Sequence, residues 1–164
     1  MATKTTKELI NQLGNPMKRQ PQFEAVWMVL WEVPADIRQN IPCMPAKIFL
    51  NRIIIEPLQN TLRALILRGL HTEFKTFDGC FNVRYVRGTE NTTKVLSRHS
   101  WGLALDFNAA ENPLNGKVTW SQAFLAVWRE NRWTCGADWS TRPDGMHFEF
   151  NAFTIQDIKN LLHG

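Results

Sequence analysis

The stretch Ser97-Arg98-His99-Ser100-Trp101-Gly102-Leu103-Ala104-Leu105-Asp106-Phe107 decides how the chain is read. From Leu103 to Phe107 large apolar residues alternate with Ala104 and Asp106, the two-residue period of a strand with one face on a core. Asp106 then points away from the apolar side. Met146-His147-Phe148-Glu149-Phe150 repeats the pattern, with Met146, Phe148 and Phe150 on one face and His147 and Glu149 on the other. Two strands therefore present Asp106, His147 and Glu149 from polar faces backed by apolar ones. His99 sits in a turn seven residues before Asp106.

Around these strands the sequence reads as helices. Thr5-Thr6-Lys7-Glu8 is a capping-box pattern ahead of Leu9, Ile10 and Leu13, with Gly14 and Pro16 as stops. Pro57 followed by Leu58, Leu62, Leu65 and Ile66, with Gly69 beyond, marks an amphipathic helix. Short β-like runs are expected over Thr72–Phe77 and Val83–Val86, then a helix from Ser121 to Asn131. Thr154 opens a last helix whose Ile155, Ile158, Leu161 and Leu162 are expected to face the core. Helices outside and strands grouped in the second half predict an α+β fold, with no βαβ alternation. No 20- to 50-residue repeat and no linker divides the 164 residues, so they read as one domain.

Composition narrows the function classes. With 44% hydrophobic and 21% charged residues the chain supports a core without disulfides, and disorder is excluded as its main state. The longest apolar run, Ala25 to Trp31, is far too short to cross a bilayer. No apolar signal-peptide core follows Met1, so the expected site of synthesis and accumulation is the cytoplasm. Cys43, Cys80 and Cys135 are odd in number and widely spaced, which excludes a disulfide framework and a CxxC zinc or redox motif. Residues 1–98 hold 14 Lys/Arg and 8 Asp/Glu, net +6, whereas residues 99–164 hold 5 and 7, net −2. The basic half suits attraction to an anionic envelope. Nothing resembles an RNP, helix-turn-helix or zinc-finger pattern, so no specific nucleic-acid partner is expected.

Two imidazoles and a carboxylate make the three-ligand set of a catalytic zinc, which keeps its fourth position for water. His99, Asp106 and His147 are the candidates, one ion per chain. Asp144, three residues before His147 on a tight turn, is placed as general base. Glu149, on the face of His147, is a candidate to orient that ring, and Ser97 has a similar candidate role in the His99 turn. Arg84 or Arg87 is a candidate donor to a developing oxyanion. Trp101, Trp133 and Trp139 flank the motifs, either in the core or lining a groove. HExxH is absent, which excludes the helix-borne zincin arrangement.

Ser97-x-His99-x-x-Gly102-x-Ala104-x-Asp106, followed by Asp144-Gly145-Met146-His147-Phe148-Glu149, resembles the SxHxxGxAxD and DxxHFE motifs of the M15 peptidases, which include D-alanyl-D-alanine carboxypeptidases and phage L-alanyl-D-glutamate endolysins. The resemblance extends through Gly79 to Arg84, similar to a segment holding a substrate or oxyanion arginine, and through Gly136-Ala137-Asp138-Trp139, similar to GGDW. It spans residues 45–153, while residues 1–44 form a helical N-terminal part of unassigned role. It implies the hedgehog/DD-peptidase fold, an antiparallel sheet carrying a zinc site with helices around it. It also implies His99, Asp106 and His147 as ligands, Asp144 as base and, by its segment, Arg84 over Arg87. The carboxypeptidase branches usually carry Glu at the base position, so Asp144 is closer to the endolysin branch.

The activity so implied is hydrolysis of peptidoglycan stem peptides, foremost by an L-alanyl-D-glutamate endopeptidase in phage lysis. Such an enzyme waits in the host cytoplasm for release, or travels with the virion, and works as a monomer. The alternatives are a D,D-carboxypeptidase or D,D-endopeptidase using the same site, and a non-catalytic envelope-binding module.

Overall fold

The computed structural model describes residues 3–164; Met1 and Ala2, counted above in the N-terminal part, lie outside the described residues. The chain opens with helices α1 (Thr6–Leu13) and α2 (Gln20–Trp27). Strand β1 (Met28–Glu32), helix α3 (Ala35–Asn40), strand β2 (Lys47–Asn51) and helix α4 (Ile55–Leu67) follow. The second half adds β3 (Phe77–Gly79), β4 (Ala104–Phe107), α5 (Gln122–Glu130), β5 (Trp133–Cys135), β6 (His147–Phe150) and α6 (Ile155–His163). β1 and β2 form an antiparallel pair, and the other four strands form an antiparallel sheet in the order β3-β4-β6-β5. This is the mixed α+β architecture expected, with the site on the larger sheet.

Local chemistry explains the helix starts. The Thr5 hydroxyl accepts from the Glu8 amide at 3.1 Å and the Glu8 carboxylate accepts from the Thr5 amide at 2.6 Å, which closes the capping box of α1. Thr154 and Asp157 repeat the device on α6, and Ser121 caps α5. The core is continuous from Leu9 to Ile158 and densest under the larger sheet. There Phe148 of β6 stacks on Trp128 of α5 at 4.2 Å between ring centroids, and Trp120 stacks on Phe124 at 4.3 Å. Each such ring contributes about 1.5–3 kcal/mol by leaving water.

Buried Asn51 ties the N-terminal region to the sheet. Its side-chain amide donates to the Trp101 carbonyl at 2.9 Å, its side-chain oxygen accepts from the Ile53 amide at 3.0 Å, and its backbone amide donates to the Gly102 carbonyl at 3.1 Å. The Trp101 indole donates to the Gly14 carbonyl at 3.0 Å. The turn that carries His99 is thereby pinned from two directions by the N-terminal region.

Three expectations are corrected. The run Thr72–Phe77 is mostly not strand: a single helical turn occupies His71–Glu73 and pairing begins at Phe77. The Asn108 side chain takes over the hydrogen bonding, accepting from the Lys75 and Thr76 amides at 2.7 and 3.1 Å and donating to the Glu73 carbonyl at 2.8 Å. Val83–Val86 makes only an isolated bridge between Tyr85 and Leu96, because the Ser100 hydroxyl bonds both the amide and the carbonyl of Arg84. On α6 only Ile158 is buried; Ile155, Leu161 and Leu162 face solvent because the helix is the outermost layer. The apolar run Ala25–Trp31, which has no period of its own, turns from helix α2 to strand β1 at Met28.

Candidate active site

The register of β4 and β6 sets Asp106 directly opposite His147 and Ala104 opposite Glu149. Alternation does the rest: Leu105, Phe107, Phe148 and Phe150 are buried in the core, which leaves Asp106, His147 and Glu149 together on the other face. His99 arrives on a single helical turn, Arg98–Trp101, whose start is capped by the Ser97 hydroxyl accepting from the His99 amide at 3.3 Å. Gly102 ends that turn at φ 64°, and a Cβ there would lie 2.7 Å from the Met28 side chain and 2.9 Å from the Asn51 amide nitrogen. Only glycine satisfies both the left-handed backbone and the close approach.

His99 Nε2 lies 3.2 Å from one Asp106 oxygen, and His147 Nδ1 lies 3.3 Å from the other. The far nitrogens are both engaged. His99 Nδ1 donates to the Cys80 carbonyl at 2.6 Å, which fixes the tautomer and leaves Nε2 as the inward nitrogen. His147 Nε2 donates to Glu149 Oε1 at 2.9 Å, so Nδ1 is its inward nitrogen. One ligand atom from each of His99, Asp106 and His147 falls within 4.8 Å of the others. Four tetrahedral ligands at about 2.0–2.2 Å from zinc stand about 3.3–3.6 Å apart, close to the two measured separations. His99 Nε2, Asp106 Oδ1 and Asp144 Oδ1 are buried without hydrogen-bond partners, which is costly unless a cation or its water completes them. The donor set therefore fits a divalent metal.

The electrostatics agree with that fit. Burial works against the charged form of Asp106, but the two imidazoles overcome it and hold the carboxyl well below the usual carboxylate range. Burial likewise opposes a charged His147, yet Asp106 and Glu149 prevail and push the ring up to about 10. A metal at this site accordingly competes with a proton for His147. Glu149 is itself held low, against its burial, by His147, Arg98 and the Asn151 amide 2.8 Å away.

Asp144 is raised, first by burial and then by the Asp106 charge, the direction a proton-transferring carboxyl needs near neutral pH. Its position comes from the turn after β5, where its amide donates to the Gly136 carbonyl at 2.9 Å and its carbonyl accepts from the His147 amide at 3.1 Å. A Cβ on Gly136 would collide with the Asp144 carbonyl, so glycine is required there for close approach.

These groups line a cavity of about 340 Å³. Ser97, His99, Asp106, Asp144, His147 and Glu149 share its wall with Arg84, Arg87 and Trp139. The Trp139 ring lies 5.4 Å from that of His147, whereas Trp101 and Trp133 are core. His99, Asp106, His147, Asp144, Glu149, Ser97, Arg84, Arg87 and Trp139 thus line one cavity, and of the residues singled out from the sequence Trp101 and Trp133 do not reach it. Others on this wall were not singled out. Arg98 and Arg142 line the same cavity, and the Cys80 carbonyl orients His99. A backbone carbonyl leaves no residue-type signal; Arg98, inside the first motif, could have been noticed as a cation beside a ligand.

The fold and this cluster define a candidate metal centre built on an antiparallel strand pair. Residues 90–150 match an M15 peptidase family profile described as D-alanyl-D-alanine carboxypeptidase. The matched segment contains His99, Asp106, Asp144, His147 and Glu149 and excludes the N-terminal region and Arg84. The chain matches no curated protein and no solved structure. None of the helices among the described residues is long and apolar enough to cross a membrane.

Proposed function

We propose that the chain is a zinc-dependent L-alanyl-D-glutamate endopeptidase that cuts peptidoglycan stem peptides in phage-driven lysis of the host. The observation that carries the metal part is the convergence of His99 Nε2, Asp106 and His147 Nδ1, with buried lone pairs left over. Zinc, when bound, supplies Lewis-acid polarisation of the scissile carbonyl and acidifies water. His99, Asp106 and His147 hold it. Asp144 takes a proton from the attacking water as its oxygen bonds to the carbonyl carbon, then delivers that proton to the amide nitrogen as the C–N bond breaks. Arg84, with Arg87 as the alternative on the same wall, donates to the oxygen on which negative charge develops. Glu149 holds the His147 ring, Ser97 shapes the turn of His99, and Trp139 walls the cleft against the peptide.

The choice of bond rests on Asp at position 144, which resembles the endolysin branch. The second reading, a D,D-carboxypeptidase, is favoured by the description of the matched profile. In the proposed setting the monomer stays in the host cytoplasm until release, or is carried by the virion, and its basic N-terminal half draws it to the anionic envelope. Mass spectrometry of products from purified peptidoglycan, with and without chelator, separates the readings. Stem peptides with a new D-Glu N-terminus support the endopeptidase; loss of terminal D-Ala alone supports the carboxypeptidase. Binding without any metal-dependent product would leave an envelope-binding module.

A further inference from the structure

Arg98 lies beside the candidate ligands with most of its side chain buried, only 10% exposed. A guanidinium in such a place is costly unless its surroundings use it. Its Nε is 3.7 Å from Glu149 Oε2, on the carboxylate whose other oxygen accepts from His147 Nε2 at 2.9 Å. Its two terminal nitrogens are spent on backbone carbonyls: Nη1 donates to Leu96 at 3.2 Å and Nη2 donates to Lys4. The face of the group lies over the Trp101 ring at 5.9 Å. The Lys4 carbonyl comes from the segment just before α1, outside the part of the chain that the family profile matches. That segment is itself seated, with Lys4 Nζ over the Phe153 ring at 4.7 Å and Thr3 on the wall of the cavity.

We propose that Arg98 is a positioning residue for the His147 imidazole, acting through Glu149, and that the N-terminal segment holds Arg98 in place through the Lys4 carbonyl. Without the cation, Glu149 keeps the Asn151 amide on Oε2 and the imidazole on Oε1 but loses the positive charge 3.7 Å from Oε2, which weakens the hold of the carboxylate on the His147 ring. Removing a partner of this kind from a metal-ligating histidine commonly weakens the metal site about 10- to 100-fold. The N-terminal segment thereby becomes a working part of the site in addition to covering the core.

This inference rests on His99, Asp106 and His147 being the metal ligands. Its test is zinc affinity by competition with a chromophoric chelator, together with the visible spectrum of the cobalt-substituted chain. The variants are Arg98→Gln, Arg98→Lys and a chain shortened to begin at Thr5, which keeps the cap of α1. Arg98→Gln is expected to weaken zinc by about tenfold or more and to alter the cobalt bands; Arg98→Lys, which keeps a cation, restores most of the affinity, and the shortened chain falls between. Wild-type zinc affinity and an unchanged cobalt spectrum in Arg98→Gln overturn the proposal, whatever happens to the melting temperature. If that variant does not fold, the shortened chain decides: wild-type affinity there overturns the proposal, and weakened affinity supports it. A wild-type chain that binds no zinc would instead refute the metal reading itself, and one that binds zinc without cutting peptidoglycan would refute only the substrate.

Discussion

The β4–β6 pair and the β1–β2 pair are both antiparallel, both lean on the same core, and differ in what their outer faces carry. On β4 and β6 the face away from the core holds Asp106, His147 and Glu149, enclosed by the cavity wall. On β1 and β2 that face holds Leu30 opposite Phe49 and Glu32 opposite Lys47, open to solvent. The first pair surrounds ionisable groups with apolar ones and leaves Asp106 Oδ1 buried without a hydrogen-bond partner, an arrangement that a bound cation would relieve. The second needs nothing further. Polar groups placed at cost are the mark of a site, whereas apolar groups left in water are ordinary surface.

The largest effect that could break this contrast is on turnover. Asp144→Ala should retain zinc and lose about 10²- to 10⁴-fold in kcat, measured on peptidoglycan fragments; an active variant would remove Asp144 as the base. The next lies beneath the sheet. Phe148→Ala should lower the stability read from urea unfolding by about 3–5 kcal/mol, because the ring is fully buried against Trp128 and Phe107. Asn51→Ala sharpens the comparison by cutting the tie between the two strand pairs. It leaves the buried Ile53 amide without its acceptor and is expected to cost about 1–3 kcal/mol in the same measurement. At the small end, Leu30→Ser on the open pair should change stability by no more than about 0.5 kcal/mol and leave turnover as it was.

The same contrast explains what could be read from the sequence. Leu103–Phe107 and Met146–Phe150 were legible because one buried face and one functional face produce strict alternation around residues of rare chemistry. The helices with side-chain caps, at Thr5, Ser121 and Thr154, were legible because their starts are written in local hydrogen bonds. The turn from α2 into β1 was not, since Ala25–Trp31 is apolar at nearly every position and its partners, Lys47–Asn51, lie some twenty residues away. The irregular chain at Thr72–Thr76 escaped for a related reason: its backbone is satisfied by Asn108, about thirty residues on, and propensity is blind to such a partner. In the candidate site the residue types were visible, but their orienting groups were less so. The Cys80 carbonyl and the Lys4 carbonyl are backbone atoms brought in by the fold, and any residue could have supplied them.

The most direct test of the central claim is a titration of the metal-free protein with zinc, following peptidoglycan hydrolysis at each addition. The account predicts no turnover in the chelated chain, a linear rise to one equivalent of zinc per chain, and no such rise in His147→Ala. Turnover that is the same in the chelated and the zinc-loaded protein would contradict it.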